Sequence, residues 1–239
     1  MGRLTEAVKH LIIINVILFI GPKLFQGFDL QSLFALHFPE NPAFGFWQYF
    51  THMFMHSQQT FMHILFNMYG LWAFGTPLEQ MWGRNKFLFF YLSAGLGAGA
   101  IYTLVNYYQF NNGVQELIQL GLSQTEILSL LDPTKHYSNE ILQSVNELYN
   151  TQAVGASGAV YGILVAFGMA FPNAKLALIF LPVPISAKYF IPVIILGDLF
   201  LGITKYSVGN VAHFAHVGGA LIGFIIAWYW KQNQFKRWN

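Results

Sequence analysis

The chain has 239 residues, of which 55% are hydrophobic, 18% aromatic and 9% charged, against roughly 25% charged in soluble domains. So few charges cannot solvate a globule of this size, which excludes an ordinary soluble domain and points to a polytopic membrane protein. A formal net charge of +2 says little by itself, and the absence of cysteine excludes disulfides, thiolate metal sites and a cysteine nucleophile.

The first apolar run, Leu11 to Ile20, is followed by no small-x-small cleavage site, so it reads as a retained first span. Apolar segments of about 20 residues place spans near 7–21, 61–81, 87–107, 153–171, 187–204 and 211–230. The connection 22–60 holds Phe44-Gly45-Phe46-Trp47-Gln48-Tyr49-Phe50, too aromatic for a free linker and suited to the membrane interface. The connection 108–152 is the polar region of the chain. Its Leu117, Ile118, Leu120, Ile127, Leu128, Leu130 and Leu131 read as short amphipathic helices broken at Asp132-Pro133. No domain boundary or long repeat emerges, so residues 1–239 read as one all-α membrane domain, a bundle of six transmembrane helices.

Basic residues set the orientation. With the N-terminus inside, Arg3, Lys9, Arg84, Lys86, Lys175, Lys188, Lys231, Lys236 and Arg237 fall inside, and Lys23, Lys135 and Lys205 outside. Nine against three favours an N-in, C-in topology with both long connections external. The even-numbered spans then all begin on the outer face.

That topology gathers the unusual polar groups. Ser157, in Gly155-Ala156-Ser157-Gly158-Ala159-Val160-Tyr161-Gly162, lies about one turn inside span four. His216 lies about one turn inside span six, and His63 at the mouth of span two with Asn67 one turn deeper on the same face. All four sit roughly 5–10 Å below the surface at 1.5 Å per residue. Polar side chains in lipid are costly and face the bundle interior. Gly155, Gly158 and Gly162 on span four, with Ala215, Gly219 and Gly223 on span six, allow the two helices a close approach. A serine needs a base, and an imidazole within hydrogen-bond reach supplies one.

Other polar groups offer competing chemistry. His52 and His56 at i, i+4, and His213 and His216 at i, i+3, are spaced for a metal, but no His-Glu-x-x-His occurs. Glu79, at the inner end of span two, and Asp198, in the middle of span five, could serve an aspartyl dyad or an ion path. Hydrogen bonding at helix ends or kinks accounts for them more simply, and His52 and His56 suit hydrogen bonds within their loop. No acid is expected near the outer end of the spans to complete a catalytic triad.

His63-Ile64-Leu65-Phe66-Asn67, Gly155-Ala156-Ser157-Gly158 with Tyr161-Gly162, and Ala215-His216-Val217-Gly218-Gly219 resemble the motifs of the rhomboid intramembrane serine proteases, in the family's order. The likeness covers about residues 1–107 and 153–231. It implies a rhomboid-type bundle in which Ser157 is the nucleophile and His216 its general base, a dyad without a third acid. It further implies that His63, Asn67 and the Ser157 backbone N–H bind the oxyanion, and that Tyr161 packs on the catalytic histidine, with Gly155, Gly158 and Gly219 in support. Trp82-Gly83 after Glu79 resembles the family's ending of the second span, whereas Trp47-Gln48 stands where the family often has Trp-Arg.

The implied substrates are single-span or polytopic membrane proteins in the bilayer, cut near small or helix-breaking residues, with no cofactor, metal or nucleic acid. Span five and the loop Lys205–Asn210, with Gly202 and Gly209, are the expected gate. The compact form without a targeting extension suggests a bacterial cytoplasmic membrane with the site opening outward. A non-catalytic rhomboid-like protein binding transmembrane clients is the alternative, though such a protein would be expected to lack the serine or the histidine. A transporter using Glu79 and Asp198 would be indifferent to Ser157 and finds no inverted repeat.

Overall fold

The computed structural model describes residues 4–236 apart from 25, 26, 28, 179, 180 and 205–211. Arg3, Arg237 and the whole expected gate loop from Lys205 to Asn210, with Gly209, lie outside the described residues. In chain order the elements begin with α1 (Glu6–Leu24), α2 (Leu30–Phe34), α3 (Gln48–Thr51) and a 3₁₀ turn, His52–Phe54. Next come α4 (Phe61–Gly70), a π-helical turn Leu71–Gly75, α5 (Thr76–Trp82), α6 (Arg84–Gln119), α7 (Gln124–Leu130) and α8 (Glu140–Asn150). The chain continues with α9 (Ser157–Ala170), the strands β1 (Lys175–Leu178) and β2 (Leu181–Ser186), α10 (Ala187–Ile203) and α11 (His213–Lys236).

Among the described residues, three helices are long and apolar enough to cross a membrane: α1, α6, and α11 through Asn233. Large apolar side chains stand exposed on their outer faces, among them Ile17, Phe89, Leu104 and Ile225, and Leu196 and Phe200 do so on α10. In water such a surface would drive association, whereas lipid solvates it. α9 lies inside, its Gly158, Ala159, Val160, Ile163, Ala166 and Phe167 all buried, as befits a helix apolar on every side. It packs mainly against α11 and α6. Between helices in lipid, close packing of small residues replaces water-driven burial as the source of cohesion. α4, the π turn and α5 run on as one helix. Pro77 has no N–H for an α-helical bond to Ala73, and the helix takes its π turn, Leu71–Gly75, just before it.

The observed elements depart from the sequence expectations in three places. α6 does not end at 107. It is 36 residues long, about 54 Å against a hydrocarbon thickness of roughly 30 Å, so much of it extends beyond any bilayer. It stops at Gly121, where the Leu122 N–H bonds Leu117 O and the Gly121 N–H bonds Ile118 O, a Schellman turn. Its extension packs with α7 and α8 into a second apolar cluster of Phe38, Phe110, Val114, Leu117, Ile127, Leu142 and Val145. The fourth apolar segment becomes helical only at Ser157, after an extended stretch paired through Ala153 to Leu36. Finally, the fold is not wholly α: β1 and β2 form an antiparallel hairpin with Lys175 opposite Ser186.

Glu79 acts as a structural cap. Its two carboxylate oxygens accept the backbone N–H groups of Ala7 and Val8 at 2.8 and 2.9 Å, donors that the first turn of α1 leaves unpaired. Gln48 is fully buried and ties the first connection together. Its amide donates to Ala43 O at 2.8 Å, and its oxygen accepts the His37 N–H at 3.2 Å.

Candidate active site

The segment that presents Ser157 is fixed from both sides. Leu36 and Ala153 exchange two backbone hydrogen bonds of 2.9 Å, and the Gly155 N–H donates to His52 O at 2.9 Å. Gly155 has φ +134°, a conformation side chains disfavour. A Cβ there would stand 2.9 Å from His63 Nε2 and 3.3 Å from Ser157 Oγ. The glycine thereby keeps open the space between these two groups. Ser157 is the first residue of α9, so its N–H has no partner one helical turn back.

His216 comes to the serine because α9 and α11 touch backbone to backbone. A Cβ on Gly219 would lie 1.9 Å from Gly158 O, and one on Gly223 would lie 2.5 Å from Gly162 Cα. Across that seam His216 Nε2 lies 2.9 Å from Ser157 Oγ. The Tyr161 ring, one turn further along α9, stacks on the His216 imidazole at 4.3 Å between centroids and 11° between planes.

An acid does reach this pair, contrary to the dyad expected without one. Asp198 of α10 places Oδ1 3.2 Å from His216 Nδ1 and 2.6 Å from His213 Nδ1, while the Tyr161 hydroxyl donates to Oδ2. Asp198 lies five residues from the last residue of α10, about 7.5 Å at 1.5 Å per residue, rather than at its middle. No periodicity could have revealed this, since α10 is apolar nearly all round. The available signal was the acid itself, because an ionisable residue in an apolar span is a functional candidate by default.

His63 and Asn67 share the cleft wall with Ser157 and His216. The Ser57 N–H donates to His63 Nδ1 at 3.1 Å, so the neutral ring carries its proton on Nε2, the nitrogen that faces Gly155. Asn67 turns one amide proton back to His63 O at 2.7 Å and keeps the other. Behind His63 stands His56, edge to face at 5.2 Å. Its Nε2 bonds Asn15 Oδ1 of α1 at 2.8 Å, a partner outside its loop. His52 bonds Gln48 O within the loop at 2.9 Å. Burial pushes His52 down to about 4 from 6.5. Burial, followed by the neighbouring His63, pushes His56 down to about 3. Both rings are neutral at pH 7. The ligand atoms of Asp198, His213 and His216 lie within 4.8 Å of one another, close enough to chelate, and are engaged in hydrogen bonds among themselves.

A serine hydroxyl bonded to an imidazole, beside a small space faced by N–H donors, suits acyl transfer. Residues 43–233 match the Rhomboid domain family. The chain is 28% identical over 175 residues to Rhomboid protein 1, mitochondrial, of Saccharomyces cerevisiae, covering 72% of this chain and 39% of that one. It is 30% identical over 178 residues to Presenilin-associated rhomboid-like protein A, mitochondrial, of Danio rerio, covering 72% and 34%. With Rhomboid protease AarA of Providencia stuartii it shares 26% over 188 residues, covering 76% and 54%. The matches thus span about a third to a half of these relatives' lengths.

Proposed function

The chain belongs to the Rhomboid family, and from that premise we propose that it is an intramembrane serine endopeptidase cutting membrane-protein substrates in or near their transmembrane segments. The observation that carries this is the 2.9 Å contact between Ser157 Oγ and His216 Nε2 at the start of two packed helices. Ser157 Oγ attacks the substrate carbonyl carbon and its proton passes to His216 Nε2. The carbonyl oxygen becomes an oxyanion, held by the Ser157 N–H, His63 Nε2–H and the free Asn67 amide proton. Collapse breaks the C–N bond, His216 protonates the leaving amine, and an ester on Ser157 remains for water to hydrolyse. Donors aimed at the developing charge supply the largest part of such catalysis.

The cleft beside Ser157 measures about 1640 Å³, beyond the roughly 300–1,000 Å³ of small-ligand pockets, which favours a polypeptide as its occupant. A substrate helix must unwind before its carbonyls can be attacked, so small or helix-breaking residues should flank the cut. The arrangement proposed in the membrane has six spans, with α4–α5, α9 and α10 joining the three longer helices, both termini inside and the site opening outward. The location proposed is a bacterial cytoplasmic membrane. One relative's name includes the word protease and others carry "rhomboid-like". A client-binding role without catalysis would leave the serine idle.

The test is cleavage of a single-span model substrate by the full chain in liposomes, beside Ser157→Ala and His216→Ala. Loss of cleavage in both variants with folding intact is expected. Full cleavage by Ser157→Ala would refute the assignment.

A further inference from the structure

We propose that Asp198 is a positioning residue for His216, so that hydrolysis runs through a Ser157–His216–Asp198 relay. The inference rests on the protease reading above and extends it to a residue on a third helix. A carboxylate in an apolar span is costly unless its lone pairs are engaged. Those of Asp198 are engaged by three donors: Oδ1 by the Nδ1 atoms of His213 and His216 at 2.6 and 3.2 Å, and Oδ2 by the Tyr161 hydroxyl. An ionised carboxylate only accepts, so both imidazoles carry their protons on Nδ1. For His216 this leaves the Nε2 lone pair facing Ser157 Oγ, the tautomer a general base requires.

The division of labour follows from the distances. His213 holds the shared oxygen more tightly than His216 does, and Tyr161 holds the other, so the carboxylate keeps its orientation while His216 cycles. Tyr161 also stacks on His216, which fixes the ring plane. When Oγ bonds the substrate carbon, its proton moves to Nε2 and the ring becomes an imidazolium. The Nδ1 proton stays on His216, and Asp198 stays ionised throughout, stabilising the positive ring.

A carboxylate accepting the Nδ1–H fixes which nitrogen of His216 is left to act as the base. Among the described residues, the other groups around it are Ser157 and Tyr161 from α9, His63 from α4, Tyr102 from α6 on the cleft wall, and His213 on its own helix. Of the groups in hydrogen-bond or ring contact with His216, Asp198 is the one that carries a carboxylate, so its removal should show in kcat and in the imidazole tautomer.

The experiment compares the wild-type chain, Asp198→Asn and Ser157→Ala in liposomes, measuring kcat and KM for a single-span substrate. Asparagine can donate to Nδ1 and enforce the wrong tautomer. The expected result is a kcat, taken per folded enzyme, lowered by about 10³–10⁴-fold with KM within about twofold. Wild-type kcat in Asp198→Asn overturns the proposal. So does a loss that merely tracks the amount of folded protein, because that is what a structural role would give.

Should Asp198→Asn fail to fold, ¹⁵N imidazole spectra of the wild type decide, with the His216 signals assigned by their loss in His216→Ala. Protonation on Nδ1 supports the relay, and protonation on Nε2 overturns it. Loss of cleavage in Ser157→Ala keeps the protease reading whatever Asp198→Asn does. Retained cleavage there sinks both together.

Discussion

Gly219→Ala isolates the contact that brings the serine and histidine together. The added Cβ would stand 1.9 Å from Gly158 O and 2.6 Å from Gly158 C, and backbone atoms cannot rotate aside. Relief to an ordinary separation of roughly 3.4 Å requires α9 and α11 to part by about 1.5 Å. Ser157 precedes Gly158 directly, and His216 is less than one turn from Gly219. The 2.9 Å contact between Ser157 Oγ and His216 Nε2 would therefore open to about 4 Å, outside hydrogen-bond range. Overpacking of this kind costs about 1–3 kcal/mol of stability, and a displacement of about 1 Å at reacting groups can cost about 10²-fold in rate. Gly197→Ala is the control, since a Cβ there meets nothing within 4 Å. The assay is thermal unfolding of the purified protein together with the rate at which a fluorophosphonate modifies Ser157. Gly219→Ala should melt lower and react about 100-fold more slowly, with Gly197→Ala close to wild type. A Gly219→Ala protein matching wild type in both would show that the α9–α11 seam does not position the pair.

Glu79→Gln removes one of the two acceptors that hold the start of α1. Unfolding in detergent should shift by about 1–3 kcal/mol. Ser157 reactivity of the folded fraction should not change, because Glu79 is about 24 Å along the α4–α5 helix from His63. A wild-type melt would show that this cap contributes nothing. His52 and His56 give stability an acid dependence. Both have folded values below 6.5, about 4 and about 3, so below pH 6.5 the unfolded chain binds more protons than the folded one. Stability should be full above pH 6.5 and decline as pH falls towards 4. At pH 5 the loss is about 2 kcal/mol per histidine at 1.36 kcal/mol per unit. Melting curves from pH 7.5 to 4.5 check this, and a flat profile would refute the neutral, buried assignment.

The legible parts of the molecule were those carried by local pattern. The apolar segments near 61–81 and 187–204 correspond closely to the helix from Phe61 to Trp82 and to α10, Ala187–Ile203. The small residues around Ser157 and His216 indicated a close approach, and Gly158 and Gly219 do meet. Asp198 was harder to place because its role depends on how α10 is rotated about its axis, and a helix apolar on nearly every side offers no face to read. α6 outruns the end that apolarity alone marks. Beyond 107 it is amphipathic, with Phe110, Val114 and Leu117 buried beneath α7 and α8, and its real stop is the turn at Gly121. Gln48 stands where the resemblance led one to look for an arginine, yet its buried amide organises the loop through His37 and Ala43, contacts distant in sequence pattern.

The central claim is that Ser157 is an activated nucleophile. Its most direct test is labelling of the purified, detergent-solubilised protein with a fluorophosphonate probe, alongside Ser157→Ala and His216→Ala. The account predicts one labelled site in the wild type, absent from the Ser157 variant and strongly reduced in the His216 variant. A well-folded wild type that takes up no label, or a Ser157→Ala protein that labels equally well, would contradict it.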